Sequence, residues 1–149
     1  MKKLIILLLV IIPFNTYALT DSSKGSIVMD VDSGRILYQK NSNTSMLIAS
    51  TTKLMTFLVA NKYAGDKLNS KITVGEEVLK AYGTNMYLSI SEEITLRDLL
   101  YGLMLRSGND AANVIAKNIG GDIPHFVEMM NKKAKDIGMN DSVFSNATG

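Results

Sequence analysis

The segment that most constrains the fold is the run at residues 54–60, which is apolar on nearly every side of a helix and is followed by a stop at Gly65. A helix without a polar face is normally buried in the middle of a domain, so other elements have to surround it. Ser50 and Lys53 stand at the start of this helix, three residues apart. That spacing puts both side chains on one helical face, one turn from each other.

The Ser50–Lys53 pair can supply a nucleophile and its general base. The start of a helix favours negative charge developing near the Ser50 hydroxyl and disfavours a cation. Burial of Lys53 among Ile48, Leu54 and Phe57 would add a desolvation penalty. Both effects lower the lysine pKa towards the neutral amine that a general base requires. A backbone N–H at the helix start can also form one half of an oxyanion hole.

A second polar motif, Ser107-Gly108-Asn109, lies between two predicted apolar helices. The break exposes the Ser107 hydroxyl, which can relay a proton. It also exposes the Asn109 amide, which can bind a peptide substrate or orient Lys53. A Ser-x-x-Lys match arises about once by chance in a chain of this length, and its alternative meaning is an N-cap serine followed by a solvated lysine. The two motifs together predict a serine acyl-transfer enzyme.

The N-terminus predicts an exported protein. Lys2 and Lys3 precede an apolar run at residues 4–13, and short side chains follow at Thr16 and Ala18. This layout is typical of a secretory signal over residues 1–18 that is cleaved after Ala18, with an uncleaved anchor as the alternative. The apolar run is shorter than the roughly 20 residues of a membrane span. We therefore expect a periplasmic protein, or one on the outer face of the cytoplasmic membrane.

The charge balance and the absence of cysteine exclude several classes of protein. The chain has 16 Lys and Arg residues against 14 Asp and Glu residues, and removing Lys2 and Lys3 leaves equal numbers. A neutral mature chain without a basic stripe argues against nucleic-acid binding. With no cysteine and with His125 as the one histidine, we expect no zinc site and no disulfides.

The order of the predicted elements indicates an α+β fold. Two strands are expected at residues 26–31 and 35–39, joined by a hairpin turn in which Gly34 takes a positive φ. Thr95 is expected to cap one helix, and Pro124 is expected to start another. The predicted helices after the first cover residues 96–106, 110–119 and 124–137.

With these motifs in place, the chain resembles the serine D-alanyl-D-alanine carboxypeptidases, which are low-molecular-mass penicillin-binding proteins. Residues 48–56, IASTTKLMT, are similar to the nucleophile motif of that family, and residues 99–112, LLYGLMLRSGNDAA, are similar to its second motif. Further likeness at 130–139 and 144–146 extends it over nearly all of residues 19–149. Class A β-lactamases share related motifs, but Gly108 favours the carboxypeptidases.

The resemblance implies a β-lactamase/transpeptidase-like fold and the removal of the terminal D-alanine from peptidoglycan stem peptides that end in D-Ala-D-Ala. Ser50 would attack the penultimate D-alanine carbonyl, and Lys53 would be the base. Ser107 would pass a proton to the leaving amine, and Asn109 would position the substrate. β-Lactams would acylate Ser50. No metal or organic cofactor is implied, and a longer form would associate peripherally with the membrane.

The third motif of the family, Lys-Thr-Gly on a strand at a sheet edge, is not in this sequence. In the family, that strand binds the substrate carboxylate, and nearby strands complete the sheet of the N-terminal hairpin. We therefore expect residues 19–149 to be a partial catalytic domain, with hairpin and helical subdomain present, C-terminal sheet strands missing, and weak or no labelling by penicillin. The alternatives are an inactive exported remnant and a non-catalytic module that binds peptidoglycan or a partner.

Overall fold

The computed structural model of the protein describes residues 20–149. The predicted signal at residues 1–18 and its cleavage site lie outside this range. The described chain divides between Ser45 and Met46 into two compact units. Strands come first and helices dominate afterwards, so the predicted α+β class is confirmed. Among residues 20–149, no helix has both the length and the apolar character needed to cross a membrane.

The first unit is an antiparallel hairpin of β1 (Ser26–Met29) and β2 (Ile36–Lys40). Asp30 forms the turn: its carboxylate accepts the backbone N–H groups of Asp32 and Ser33 at 3.0 and 2.9 Å. Gly34 has a φ of +69°, as predicted, and its N–H donates to the Asp30 carbonyl at 2.9 Å. The predicted end of the first strand at residue 31 is wrong, because Asp30 already belongs to the turn.

A second carboxylate, that of Asp21, organises the open end of the hairpin. It accepts hydrogen bonds from the Ser26 hydroxyl at 2.6 Å and from the Ser23 N–H at 2.9 Å. These hydrogen bonds, with that from Ser26 the largest cause, hold the pKa of the Asp21 carboxyl well below its usual range. The apolar side chains of the strands are about half exposed: Ile27, Val28, Met29, Ile36 and Leu37. The hairpin is therefore held by polar contacts more than by burial.

The second unit, residues 46–149, is mainly helical. Its helices are α1 (Thr52–Ala64), α2 (Leu96–Leu105), α3 (Asn109–Gly120) and α4 (Ile123–Asp136). Its strands are β3 (Lys71–Thr73) and β4 (Glu93–Thr95), which pair antiparallel. Short 3-10 turns cover Ala49–Thr51, Gly65–Asn69 and Glu76–Lys80.

Side-chain caps begin two of the helices, α2 and α4. The Thr95 hydroxyl accepts the backbone N–H of Asp98 at 3.1 Å, which confirms the predicted cap of α2. At α4 the sequence analysis expected Pro124 to begin the helix, but Asp122 is the N-cap. Its carboxylate accepts the backbone N–H of His125 at 2.7 Å, so the helix starts one residue earlier.

The core forms around α3 instead of α1. Residues Ala111, Ala112, Val114, Ile115 and Ala116 of α3 are completely buried, and they belong to one cluster with Val59, Leu99, Leu103, Phe126 and Met130 from the other helices. The prediction that α1 is buried on nearly every side is wrong for the described residues. Leu54 and Leu58 are 51% and 43% exposed, whereas the polar Thr56 is fully buried. Apolar character alone therefore did not identify which face of α1 packs.

Candidate active site

Ser50 and Lys53 lie in contact where the chain enters α1. Ser50 belongs to the 3-10 turn Ala49–Thr51 and is exposed, whereas Lys53 in the first turn of α1 is only 3% exposed. Lys53 Nζ donates a hydrogen bond to Ser50 Oγ at 3.1 Å. The structure thus holds an accessible hydroxyl against a buried amine, at a distance that permits proton transfer once the amine is neutral.

The surroundings of Lys53 favour that neutral amine. Burial lowers the pKa of the Lys53 ammonium below its ordinary value. Ile48 and Leu54, which were expected to bury it, are themselves about half exposed. The second partner of the amine is instead the Thr148 carbonyl, which accepts from Nζ at 2.8 Å. Within the described chain, Lys53 forms no ion pair that would oppose the effect of burial.

The backbone before Ser50 is strained. Ala49 has a φ of +47°, in the left-handed region that non-glycine residues rarely occupy. Gly149 packs so closely on this turn that a Cβ atom at that position would overlap the Ala49 carbonyl. A strained residue costs of order 1–3 kcal/mol and persists only where its surroundings enforce it. Here the close packing of Gly149 is one such constraint.

Ser107 occupies the break between α2 and α3. It is partly buried and has a φ of +54°, so its backbone is also in the left-handed region. Across residues 20–149, the structure records no hydrogen bond that joins Ser107 to Ser50 or to Lys53. Its predicted role as a proton relay remains a prediction.

Asn109, the first residue of α3, holds the neighbouring loop. Its Nδ2 donates to the Tyr82 carbonyl, and its backbone N–H donates to the Thr84 carbonyl at 2.8 Å. The side chain therefore does not orient Lys53, which was one of its two expected roles. Its Oδ1 is buried without a hydrogen-bond partner among the described residues. An unpaired buried acceptor costs about 1–3 kcal/mol.

Asp110 is a structural residue that the sequence analysis missed. It is 2% exposed, and its carboxylate accepts backbone N–H groups from Met86, Leu88 and Ala111 at 2.9, 3.0 and 2.8 Å. The negative charge also lies at the N-terminal end of α3, where the helix dipole favours it. Asp110 thereby fixes the loop that Asn109 touches. An acid in the first turn of a helix was the available signal.

The segment 144–149 was also missed as a part of the site. Asn131 of α4 holds it at Phe144, donating to the carbonyl and accepting from the N–H, both at 2.8 Å. The buried hydroxyl of Thr56 donates to the Ala147 carbonyl at 2.8 Å. These bonds place the segment beside α1, where Thr148 meets Lys53. The sequence pattern at 144–146 entered only through the family resemblance.

Comparison with known proteins identifies one family. The family profile described as D-alanyl-D-alanine carboxypeptidase matches residues 14–149. The chain is 36% identical over 137 residues to the D-alanyl-D-alanine carboxypeptidase DacF of Bacillus subtilis strain 168, a match that covers 90% of this chain and 35% of DacF. It is 31% identical over 135 residues to the carboxypeptidase DacC of Escherichia coli K12, covering 83% of this chain and 33% of DacC.

Solved structures give the same result for the fold. The D-alanyl-D-alanine carboxypeptidase DacD from Francisella tularensis superposes with a TM-score of 0.81 at 34% identity, over 88% of this chain and 32% of that chain. Penicillin binding protein 5 from Haemophilus influenzae superposes with a TM-score of 0.83 at 28% identity, over 90% of this chain and 41% of that chain. The predicted transpeptidase-like fold is confirmed. The chain spans about a third of the length of these curated relatives. It belongs to the D-alanyl-D-alanine carboxypeptidase family and corresponds to the N-terminal catalytic region of a low-molecular-mass penicillin-binding protein.

Proposed function

We propose that this chain carries the acylation pair of a serine-type D-Ala-D-Ala carboxypeptidase, which removes the terminal D-alanine from peptidoglycan stem peptides. The observation that carries the proposal is the 3.1 Å contact between Lys53 Nζ and Ser50 Oγ, with the lysine buried and the serine exposed. The names of the relatives DacF and DacC support the substrate class. The family also supports β-lactams as inhibitors.

The proposed reaction has two steps. Neutral Lys53 accepts the Ser50 proton as Oγ bonds to the carbonyl carbon of the penultimate D-alanine, and the peptide C–N bond then breaks. The proton that Lys53 has accepted passes through Ser107 to the leaving D-alanine amine, while Asn109 positions the substrate. Water then hydrolyses the ester on Ser50. The position of Ser50 at the N-terminal end of α1 favours the negative charge of each tetrahedral intermediate.

Covalent labelling with a fluorescent penicillin tests this proposal. We expect weak or no labelling of the 149-residue chain, since it has no Lys-Thr-Gly motif to bind the carboxylate of the drug. Peptide mass mapping is expected to place the label on Ser50. Ser50→Ala is expected to abolish the label, and Thr51→Ala, which removes the adjacent hydroxyl, is expected to keep it. A label of equal strength on the Ser50→Ala variant would contradict the proposal.

Two alternatives give different outcomes. A non-catalytic peptidoglycan-binding module would bind cell-wall material equally well in the wild-type and Ser50→Ala forms and would not be labelled. A β-lactamase relative would turn over penicillin, whereas a carboxypeptidase would release D-alanine from a stem-peptide substrate. Gly108, in place of the aspartate of the Ser-Asp-Asn motif, favours the carboxypeptidase.

We also propose that the protein acts outside the cytoplasmic membrane, in the periplasm or on the outer membrane face, with peripheral membrane association in a longer form. The support is the basic start at Lys2 and Lys3 and the apolar run at residues 4–13. N-terminal sequencing of the expressed protein tests it, and Leu19 is the expected first residue. A cytoplasmic product that retains Met1 would contradict it.

A further inference from the structure

The last described turn of the chain is built around one side chain, that of Asn146. Its Oδ1 accepts the backbone N–H of Thr148 at 3.1 Å, the Thr148 hydroxyl at 3.2 Å and the backbone N–H of Gly149 at 2.6 Å. An asparagine side chain that accepts the backbone N–H groups two and three residues later in the chain forms a compact turn. A single oxygen therefore sets the conformation of residues 146–149.

The same turn also contacts Lys53, through the carbonyl of Thr148. The Thr148 carbonyl accepts Lys53 Nζ at 2.8 Å, and the same amine reaches Ser50 Oγ at 3.1 Å. Since a backbone carbonyl has no rotamer of its own, its direction depends entirely on the turn. The carbonyl of Thr148 thus links Asn146 to the amine without direct contact between the two side chains.

We propose that Asn146 is a positioning residue for Lys53: it folds residues 146–149 into the turn that presents the Thr148 carbonyl to Nζ and so holds the amine against Ser50 Oγ. This inference rests on the proposed function, because it assigns to Lys53 the role of base. It adds a residue that lies outside the Ser50–Lys53 and Ser107–Asn109 motifs.

The attachment of the segment to the core is separate from its final turn. Phe144 and Ala147 are buried, and Asn131 and Thr56 bond their backbone groups. Asn146 itself is exposed. Loss of its side chain therefore leaves the segment attached and creates no core cavity, while the turn at Thr148 is released.

Release of the turn is expected to change the titration of Lys53. The described hydrogen-bond partners of Nζ, Ser50 Oγ and the Thr148 carbonyl, are both uncharged, and burial is what lowers the lysine pKa. A loosened turn admits water to the amine, so the pKa of Lys53 rises towards its ordinary value. Each unit of that rise lowers the neutral fraction about tenfold at a pH below the pKa.

The test is a titration of Lys53 by nuclear magnetic resonance, on the 149-residue chain labelled with ¹³C at the lysine ε-carbon. The resonance is assigned by its loss in Lys53→Met. In Asn146→Ala we expect the Lys53 titration midpoint to move upwards, and any Ser50 labelling by penicillin near neutral pH to fall about tenfold for each unit of that movement. The acidic limb of the labelling profile moves to higher pH.

Two controls separate positioning from general stability. Asn131→Ala removes two hydrogen bonds to Phe144 and one to Val127, while Thr56 still holds Ala147, so we expect it to lower the melting temperature and to move the Lys53 midpoint less than Asn146→Ala does. Thr148→Ala removes the longest of the three bonds to Asn146 and keeps both backbone ones, so its effect is expected to be small. If Asn146→Ala does not fold, Asn146→Ser, which keeps a smaller acceptor, is expected to give an intermediate shift.

An unchanged Lys53 midpoint in both folded Asn146 variants would overturn the inference, and so would an equal shift in Asn131→Ala. The titration does not depend on acylation. The titration would therefore decide the role of Asn146 even where penicillin labels the wild-type chain weakly or not at all, and a label on a residue other than Ser50 would count against the proposed function alone.

Discussion

At the scale of single residues, the burial of Lys53 has a thermodynamic consequence that can be measured. Its folded-state pKa is lowered, so between that pKa and the ordinary lysine value the unfolded chain binds more protons than the folded chain. The free energy of unfolding therefore rises with pH across this window. Below the window, the buried ammonium carries its full desolvation penalty, and above it the penalty is absent.

The first prediction follows from this sign. In urea unfolding, the stability of the wild type relative to Lys53→Met is expected to increase as the pH rises towards the ordinary lysine pKa. Each unit of pKa lowering contributes about 1.4 kcal/mol to the total change. The comparison with Lys53→Met cancels the other titrating groups. A stability difference that does not vary with pH would show that Lys53 has an ordinary pKa in the folded chain.

Asp110 gives the second prediction. In Asp110→Asn one acceptor oxygen is replaced by a donor, which faces the Leu88 N–H in place of Oδ2 or the Met86 and Ala111 N–H groups in place of Oδ1. We expect a loss of about 1–3 kcal/mol of unfolding free energy, and faster hydrogen exchange at the amides that lose their acceptor. Asp141→Asn, at an exposed position, serves as the control and is expected to stay within about 0.5 kcal/mol. Equal stability of the two variants would contradict the role assigned to Asp110.

The extent to which the site could be predicted depends on sequence distance. Ser50 and Lys53 are three residues apart, so the helical repeat alone places them together. The carbonyl of Thr148 lies 95 residues from Lys53, and the partners of Asp110 in the loop lie 22 and 24 residues away. Those partners are backbone atoms, so the pattern of side chains in the sequence does not indicate them. The residues that support the Ser50–Lys53 pair could therefore not be predicted from the sequence.

At the scale of elements, the packing of α2 against the loop before β4 depends on Gly102. A Cβ atom at this position would overlap the sulfur of Met86. The third prediction is that Gly102→Ala costs about 1–3 kcal/mol by overpacking, despite the better helix propensity of alanine. Chemical denaturation of Gly102→Ala, Met86→Ala and the double variant checks it. We expect the double variant to lose less unfolding free energy than the two single variants lose together.

Helix ends were more predictable than helix faces. Thr95 caps α2 through an atom three residues away, so a local rule was sufficient. The exposed stripe of Leu54 and Leu58 was not predictable in this way. Periodicity shows that a side chain is apolar, but which side chains are covered depends on the contacts of α1 with α2, α3 and α4. Those contacts are a property of the tertiary arrangement.

At the scale of the whole molecule, the two units differ in how they are stabilised. The strands of the hairpin have half-exposed apolar side chains, whereas α3 is buried along most of its length. A two-stranded hairpin is marginally stable in water. The fourth prediction is that the cross-strand amides of β1 and β2 exchange hydrogen faster than those of α3, on the order of a hundredfold or more. Equal protection would show that the two units unfold together.

The separation of Lys53 from its carbonyl partner also orders events during synthesis. Ribosomes release the N-terminal part of a chain first, so α1 can form while residue 148 has not yet been joined. In the proposed mechanism, the lysine is solvated and charged until then, and Ser50 lacks an effective base. On that proposal, a partly made chain carries its serine in an inert form until the segment after α4 has been synthesised and has packed against α1.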